Sequence, residues 1–206
     1  LTLNWNCIAS LPTELAQLPQ LTHLSLQTNS LTTIPETVTE ITGLQSLDLM
    51  MNKLTCLPPK IGQLHRLQEL NLSANQLTQL PAEIGQLSQL SLLNIEFNQL
   101  RELPPEIGQL TQLTNLNLSG NHLTTLPTEM RHLSALTRLE SKNEQLELPE
   151  FLSELKQLVH LSLSANKLND IPDIIWKMTH LKVLRLRGNQ LTQLPSHIST
   201  LSQLKY

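Results

Sequence analysis

The feature that most constrains the fold of this chain is a leucine pattern that recurs every 23 residues. Residues 67–89, LQELNLSANQLTQLPAEIGQLSQ, show one unit, which generalises to LxxLxLxxNxLxxLPxxIxxLxx. The spacing is 23 residues throughout, except for one interval of 22 before Leu158, and the units begin at Leu21, Leu44, Leu67, Leu90, Leu113, Leu136, Leu158, Leu181 and Leu204. A fixed period of roughly 20–50 residues is typical of a solenoid, in which each unit packs on its neighbours. We therefore expect one elongated domain over residues 1–206, built from about nine units.

Each half of the unit predicts a different local structure. The segment LxxLxL ends in an apolar–polar alternation, which is typical of a short strand with one buried face. The second half starts with LP and continues with apolar residues three apart, such as Pro81, Ile84 and Leu87. Proline is tolerated at a helix start because its missing N–H has no partner there. The chain is thus predicted to be an α/β solenoid, with a parallel sheet on the concave face and bulkier helical or 3-10 turns on the convex face.

One asparagine recurs at the turn that follows each strand. The column consists of Asn6, Asn29, Asn52, Asn75, Asn98, Asn121, Asn166 and Asn189. A carboxamide both donates and accepts hydrogen bonds, so it can satisfy backbone groups that stacking would otherwise bury unpaired. We interpret this column as a structural ladder and not as a binding site.

These repeated residues resemble the leucine-rich-repeat family over essentially the whole chain. The LPxxIGQL variant is similar to a 23-residue class found in bacterial repeat proteins, in Roco-type proteins and in intracellular Ras-group scaffolds. The resemblance implies a horseshoe whose concave sheet commonly holds a partner. It does not identify that partner, because one fold serves many functions.

Composition narrows the classes of partner. The formal net charge of −3 lacks the basic excess typical of nucleic-acid binding, and no apolar run reaches the length of a membrane span. The two cysteines, Cys7 and Cys56, occupy different places in their units, so we expect no disulfide and a cytoplasmic location, in the producing cell or in a host. No HExxH, GxSxG, CxxC or phosphate-binding glycine loop is present, so we expect no catalysis, metal, cofactor or small-molecule substrate.

The variable positions around each strand predict the surface that contacts the partner. Several apolar residues occur there in place of polar ones, and exposed clusters of aromatic residues and methionine mark interfaces. The candidate concave residues are Trp5, His23, Asp48, Met50, Met51, Glu69, Leu92, Asn94, Glu96, Phe97, Arg138, Lys142, His160, Arg185 and Arg187. The alternative is that a few exposed apolar residues occur on any protein.

Charge is distributed unevenly along the chain. Residues 1–130 contain 4 basic and 10 acidic residues, a net charge of −6, whereas residues 131–206 contain 10 and 7, a net charge of +3. A groove with one acidic and one basic end would orient a bipolar partner and accelerate its approach. The alternative is a solvated surface on which the asymmetry has no role.

The unit at residues 136–157 departs from the pattern. Ser141 replaces a strand leucine, Glu144 stands where the asparagine is expected, and one residue is missing, so the ladder must be interrupted or shifted, with Asn143 as the candidate substitute. Nearby, Phe151, Ile174 and Trp176 occupy convex columns that are polar or glycine elsewhere. They predict a second contact surface, with local repacking around the missing residue as the alternative.

Together these patterns predict a protein- or peptide-binding module without catalytic activity of its own. The chain enters and leaves in mid-unit, so we expect a fragment of a longer protein. One alternative is the substrate-recognition arm of an enzyme, such as a ubiquitin ligase effector or a Roco GTPase, whose catalytic domain lies outside this segment. A carbohydrate binder is the other alternative, and the scarcity of aromatic platforms on the inner face argues against it.

Overall fold

A computed structural model, which describes residues 1–143 and 146–205, contains one parallel sheet with its strands in chain order. Neighbouring strands pair residues 23 apart, such as Leu70 with Leu93, and residues 22 apart across the irregular coil, where Leu139 pairs with Leu161. The register therefore follows the repeat period directly. The eight strands are β1 (His23–Ser25), β2 (Ser46–Asp48), β3 (Glu69–Asn71), β4 (Leu92–Asn94), β5 (Asn115–Asn117), β6 (Arg138–Glu140), β7 (His160–Ser162) and β8 (Val183–Arg185).

The opposite side of each coil contains a single helical turn. Most of these turns are 3-10 in type and follow a proline in extended conformation, as Pro81 does with φ −72° and ψ 153°. The 3-10 turns are Thr13–Gln17, Pro59–Gln63, Ala82–Gln86, Pro105–Gln109, Thr128–His132, Glu150–Glu154 and Ser196–Thr200, and the α-helical ones are α1 (Glu36–Glu40) and α2 (Ile174–Lys177). No helix in the described ranges has the length and apolarity needed to cross a membrane.

A continuous apolar core lies between the sheet and the helical turns. The middle residue of a strand points into it, as Leu70 and Leu93 do at 0% and 1% exposure, while Ile84 and Leu87 enter from the convex side at 0%. Because side chains alternate across a strand, the first and third strand residues face outward on the concave side. The structure confirms the predicted solenoid with a concave parallel sheet and convex 3-10 turns.

The asparagine column forms the predicted ladder. The Nδ2 of Asn75 donates to the carbonyls of Leu49 and Leu72, both at 3.0 Å, and its Oδ1 accepts from the backbone N–H of Leu54 at 3.0 Å. Asn98 repeats the arrangement one coil later. Each amide thus satisfies backbone groups of two coils in the interior, where an unpaired group would be costly.

In the irregular coil, Asn143 takes over the ladder position, as predicted. Its Oδ1 accepts from the Asn121 N–H at 2.9 Å, and its own N–H donates to the Oδ1 of Asn166 at 2.7 Å. Its Nδ2 bonds the hydroxyl of Ser141 at 2.8 Å, and that serine is 1% exposed. The shorter Ser141 side chain therefore leaves room for the amide that replaces the ladder residue. Glu144, the residue aligned with the column, lies outside the described residues.

The prediction of a second contact surface on the convex side is wrong. Phe151 and Ile174 are each 3% exposed and belong to the core, and Trp176 is half-buried against it. The ring of Trp176 stacks on His197 of the following turn at a centroid distance of 6.2 Å. Large side chains here fill volume inside the solenoid, so the alternative of local repacking describes this region.

The reason is visible in the convex column that contains Gly62, Gly85 and Gly108 and, in a later coil, Trp176. A Cβ added to Gly85 would lie 2.6 Å from the carbonyl oxygen of Glu106, so successive turns touch at their backbones there. An indole cannot occupy such a contact. Around Trp176 the next turn offers the His197 ring instead, and the convex side is rebuilt with larger apolar groups.

Candidate interaction surface on the concave face

The outward residues of the eight strands form a continuous surface opposite the helical turns. Fourteen of the fifteen concave candidates lie on the strands or on the turns that leave them, Trp5 lies in the bend after the bridge residue Thr2, and each of the fifteen is half-buried or exposed. Exposed are Trp5, His23, Met51, Glu69, Phe97, Lys142, Arg185 and Arg187. Half-buried are Asp48, Met50, Leu92, Asn94, Glu96, Arg138 and His160.

A column with positive φ lies along one edge of this surface. Its members directly precede the eight asparagines of the repeating column, and all have φ between 52° and 71°: Trp5, Thr28, Met51, Ala74, Phe97, Gly120, Ala165 and Gly188. We call it the left-handed column. An L residue with a side chain is disfavoured in this region by roughly 1–2 kcal/mol, which glycine avoids.

Three members of the left-handed column are large, apolar and exposed. Trp5 is 71% exposed, Phe97 54% and Met51 43%. The ring of Phe97 lies over Gly120 of the next coil, where an added Cβ would meet its Cδ1 at 2.5 Å. Neither backbone preference nor burial in the core accounts for bulky side chains at these positions.

The acidic end of the surface lies on the first half of the sheet. Asp48, Glu69 and Glu96 accept hydrogen bonds from Ser25 (3.4 Å), Ser46 (3.2 Å) and Asn117 (3.1 Å), respectively. Within residues 1–143 and 146–205, none of these three carboxylates lies in an ion pair. Their negative charge is therefore available to a partner.

The basic end contains fewer uncompensated positive charges than the sequence indicates. The Arg138 guanidinium binds Glu140 at 2.5 Å, which neutralises its charge locally. Arg185 and Arg187 are exposed and unpaired among the described residues. Because Asp48 and Arg185 share a register position six strands apart, about 29 Å separates the two ends at the usual strand spacing of about 4.8 Å.

His160 adds little positive charge to the basic end. Burial lowers the pKa of His160 below its ordinary value of 6.5, and the charges of Arg138 and Arg185 lower it further against a smaller opposing effect of Glu140. The Nε2 of His160 is buried and has no hydrogen-bond partner in the described structure. At neutral pH this imidazole is therefore uncharged.

A shallow depression of about 150 Å³ opens between β4 and β6. The candidates Leu92, Asn94 and Arg138 line it together with Asn115, Asn117 and Glu140. Several of its acceptor atoms are already engaged, because the Oδ1 atoms of Asn94 and Asn117 each accept a backbone N–H two residues ahead at 3.1 Å. Among the described residues, the amide nitrogen of Asn94 donates no hydrogen bond.

Asn115, Asn117 and Glu140 are not among the candidates that the sequence pattern indicates. Their polar character offered no contrast with ordinary surface, and only the packing of three strands brings them around one depression. No group of three His, Cys, Asp or Glu side chains that could hold a metal occurs in the described part of the chain.

Comparison with known proteins agrees with this geometry. A model of the leucine-rich repeat region matches residues 60–163, and a leucine-rich-repeat model matches residues 180–201. The chain belongs to the leucine-rich-repeat family. No curated protein matches the sequence significantly.

Solved structures superpose on 92% or more of the chain. A leucine-rich-repeat protein of Leptospira interrogans has 35% identity and a TM-score of 0.81, with 100% of this chain and 59% of that chain covered. The functional domain of InlJ from Listeria monocytogenes, which includes a cysteine ladder, has 27% identity and a TM-score of 0.72, with 92% and 44% covered.

A third similar structure is a complex. It is the ectodomain of the plant membrane receptor kinase GASSHO1/SCHENGEN3 from Arabidopsis thaliana with CASPARIAN STRIP INTEGRITY FACTOR 2. It has 32% identity and a TM-score of 0.69, with 99% of this chain and 29% of that chain covered. This chain thus spans less than two thirds of each of these three structures.

Proposed function

We propose that this solenoid is a binding module that holds a protein or peptide on its concave face. The observation that carries the proposal is the row of Trp5, Met51 and Phe97, which are exposed and also held at unfavourable φ values. Aromatic residues and methionine are enriched at the centres of protein interfaces, where a few such side chains supply most of the binding energy.

The charge pattern supports a partner with two charged ends. Asp48, Glu69 and Glu96, which form no ion pair with the described residues, lie beside the apolar row, whereas Arg185 and Arg187 lie at the far end of the sheet. Charge complementarity of this kind fixes the orientation of a partner and raises its association rate more than its affinity. We expect higher salt to slow association with little effect on dissociation.

The family likeness is consistent with this role. Leucine-rich repeats commonly serve as protein-binding modules, and the Arabidopsis ectodomain was solved with CASPARIAN STRIP INTEGRITY FACTOR 2 bound. That complex concerns another protein, and its partner is not transferred to this chain.

The proposal is tested by capture on the immobilised chain with a matched control. Phe97→Asp combined with Arg185→Glu alters both ends of the concave face without touching the core. Thr111→Asp adds the same charge as Phe97→Asp, at an exposed position two residues after the convex turn Pro105–Gln109. A protein retained by the parent and by Thr111→Asp but released by the double variant supports a concave binding site. Equal retention by the parent and the double variant contradicts it.

A further inference from the structure

Opposite charges on the concave face are placed symmetrically about one strand. The strand register puts Asp48 three strands before β5 and Arg185 three strands after it, at the same position within their strands. The carbonyls of Glu96, Ser119 and Lys142 each accept a backbone N–H of the preceding coil at 2.8 Å, so these three residues form a second row. In that row Glu96 lies one coil before Ser119, and Lys142 one coil after it. Both pairs of opposite charges are therefore centred on the coil that contains β5.

These four charged side chains form no ion pair within residues 1–143 and 146–205. Lys142 and Arg185 are exposed, and Asp48 and Glu96 are half-buried on the outward face of the sheet. A surface with opposite charges at equal distances from one line is self-complementary. A second copy given a half-turn about that line presents its basic end to the acidic end of the first.

A two-fold axis parallel to β5 brings two concave faces together in this way. It sets β2 opposite β8 of the second copy and β4 opposite β6, and it preserves the position along each strand. Asp48 then faces Arg185, and Glu96 faces Lys142. No two like charges face each other among the described outward residues of the sheet. Each contact occurs twice, as in any interface built from the same surface of two copies.

Other placements of the axis lose this complementarity. An axis midway between β4 and β5 leaves one pair of opposite charges, Glu69 facing Arg138, and that guanidinium already binds Glu140. An axis midway between β5 and β6 leaves none among the described outward residues. An axis along the sheet would set every strand opposite itself, so that like charges meet. The charge pattern thus selects one arrangement.

The left-handed column fits the same arrangement by size. Its member in the β5 coil is Gly120, and about this coil Met51 faces Gly188 of the second copy. Phe97 faces the β6 coil, which contributes no described residue to the column. Exposed large side chains of one copy therefore meet a glycine or the place of the missing residue in the other, so they can be covered without a clash.

We propose that the partner held on the concave face is a second copy of this chain, in a two-fold dimer whose axis runs parallel to β5. The inference rests on the proposed function and names its partner. At the usual strand dimensions, the facing area is on the order of 550 Å² per copy, which is typical of weak interfaces. We therefore expect a weak dimer that salt weakens further.

Curvature assigns different roles to the two pairs of charges. Two concave faces approach most closely toward their ends, where Asp48 and Arg185 lie about 14 Å from the axis at the usual strand spacing. Glu96 and Lys142 lie about 5 Å from the axis, where the gap is widest and only long side chains can reach across it. The outer pair is therefore the one to exchange.

Charge exchange between two variants tests the arrangement. Asp48→Arg and Arg185→Asp each set like charges together in both outer contacts of a homodimer. A mixture of the two variants restores opposite charges in both outer contacts of a heterodimer. Arginine and aspartate already occur at this strand position in β8 and β2, respectively, so both variants should keep the fold. Glu102→Arg is the control, because it makes the same charge change as Asp48→Arg at an exposed position outside the sheet.

Sedimentation velocity of the 206-residue chain at low salt measures the association. We expect the parent and Glu102→Arg to dimerise with a Kd on the order of tens of micromolar, as weak interfaces do. Each of the two exchange variants alone should associate at least about tenfold more weakly, because like charges oppose each other across the interface. An equimolar mixture of the two should recover the association of the parent.

The outcomes separate this inference from the function on which it rests. A parent chain that stays monomeric at about 200 µM, well above the expected Kd, overturns the dimer. So do exchange variants that associate as the parent does, a loss in Glu102→Arg, or a mixture that fails to recover. The capture experiment with Phe97→Asp and Arg185→Glu still decides the proposed function in those cases. A protein released by that double variant would then be a partner of different sequence.

Discussion

The coils before residue 136 and those after it use the same sheet but differ in how each coil is completed. In the first part, Asn75 and Asn98 occupy their expected ladder positions, and glycines allow the convex turns to touch. In the second part, Asn143 replaces the expected ladder residue, and Phe151 and Ile174 fill the convex side. The sheet register survives because each coil contacts only its neighbours, so a change in one coil is compensated in the adjacent ones.

The comparison also separates residues that build the fold from residues that can bind a partner. Exposed apolar side chains are concentrated in the regular part, where the packing of the coils does not require them. In the irregular part, the large apolar side chains that replace polar ones, Phe151 and Ile174, are buried and stabilise the fold. An unusual residue therefore indicates function only where the local packing does not require it.

Phe151→Ala should give the largest effect and tests the buried role of the irregular region directly. We expect a loss of about 3–5 kcal/mol in the free energy of unfolding, because a buried aromatic side chain leaves a cavity. Glu129→Ala, at the equivalent position one coil earlier, should change stability by less than about 0.5 kcal/mol. Urea unfolding monitored by circular dichroism measures the free energy of unfolding of both variants. Similar losses in the two would show that Phe151 lies on the surface.

The asparagine ladder should contribute as much to stability in the irregular coil as in the regular ones. Replacing Asn98 or Asn143 with alanine leaves buried backbone groups without partners, so each change should cost about 1–3 kcal/mol. Thermal unfolding of the two variants makes the comparison. A loss at Asn98 with none at Asn143 would show that the ladder is broken, and not shifted, in the irregular coil.

Acid should weaken the second part of the chain. Burial lowers the pKa of both His160 and His180 below 6.5, and the Nε2 of each is buried without a hydrogen-bond partner in the described structure. The unfolded chain then binds protons first as the pH falls, so stability present above pH 6.5 is lost as the pH falls below that value toward the lowered pKa values.

Melting temperatures measured between pH 7.5 and pH 5 test this effect. We expect a smaller decrease in the double variant His160→Gln, His180→Gln than in the parent chain. An identical pH dependence in both proteins would exclude these two side chains as the cause.

Phe97→Asp should have the smallest effect on stability, in contrast to a core change in the same coil. Phe97 is 54% exposed with φ 52°, a region that aspartate tolerates better than phenylalanine, so a change within about 0.5 kcal/mol is expected. Leu93 is 1% exposed, and Leu93→Asp buries an unpaired carboxylate, so that variant should unfold. A comparable loss in both, measured by thermal melting, would place Phe97 in the core.

Much of the interaction surface was predictable because side-chain direction follows from the strand period. Once Leu70 and Leu93 are aligned, Glu69 and Asn94 must face outward. The exposure of Trp5, Met51 and Phe97 follows from the same alignment. Their positive φ does not, since it arises from the turn that places the next asparagine in the ladder.

The sequence by itself determined the repeat, the parallel register and the role of the asparagines, because these depend on contacts that recur between neighbouring coils. Only the tertiary structure decided that Phe151 and Ile174 are buried and that Asn94, Asn117 and Arg138 surround one depression. Those properties depend on how much volume the neighbouring coils leave and on which strands lie side by side. A column alignment records residue types at each position, but it does not record the space between the coils.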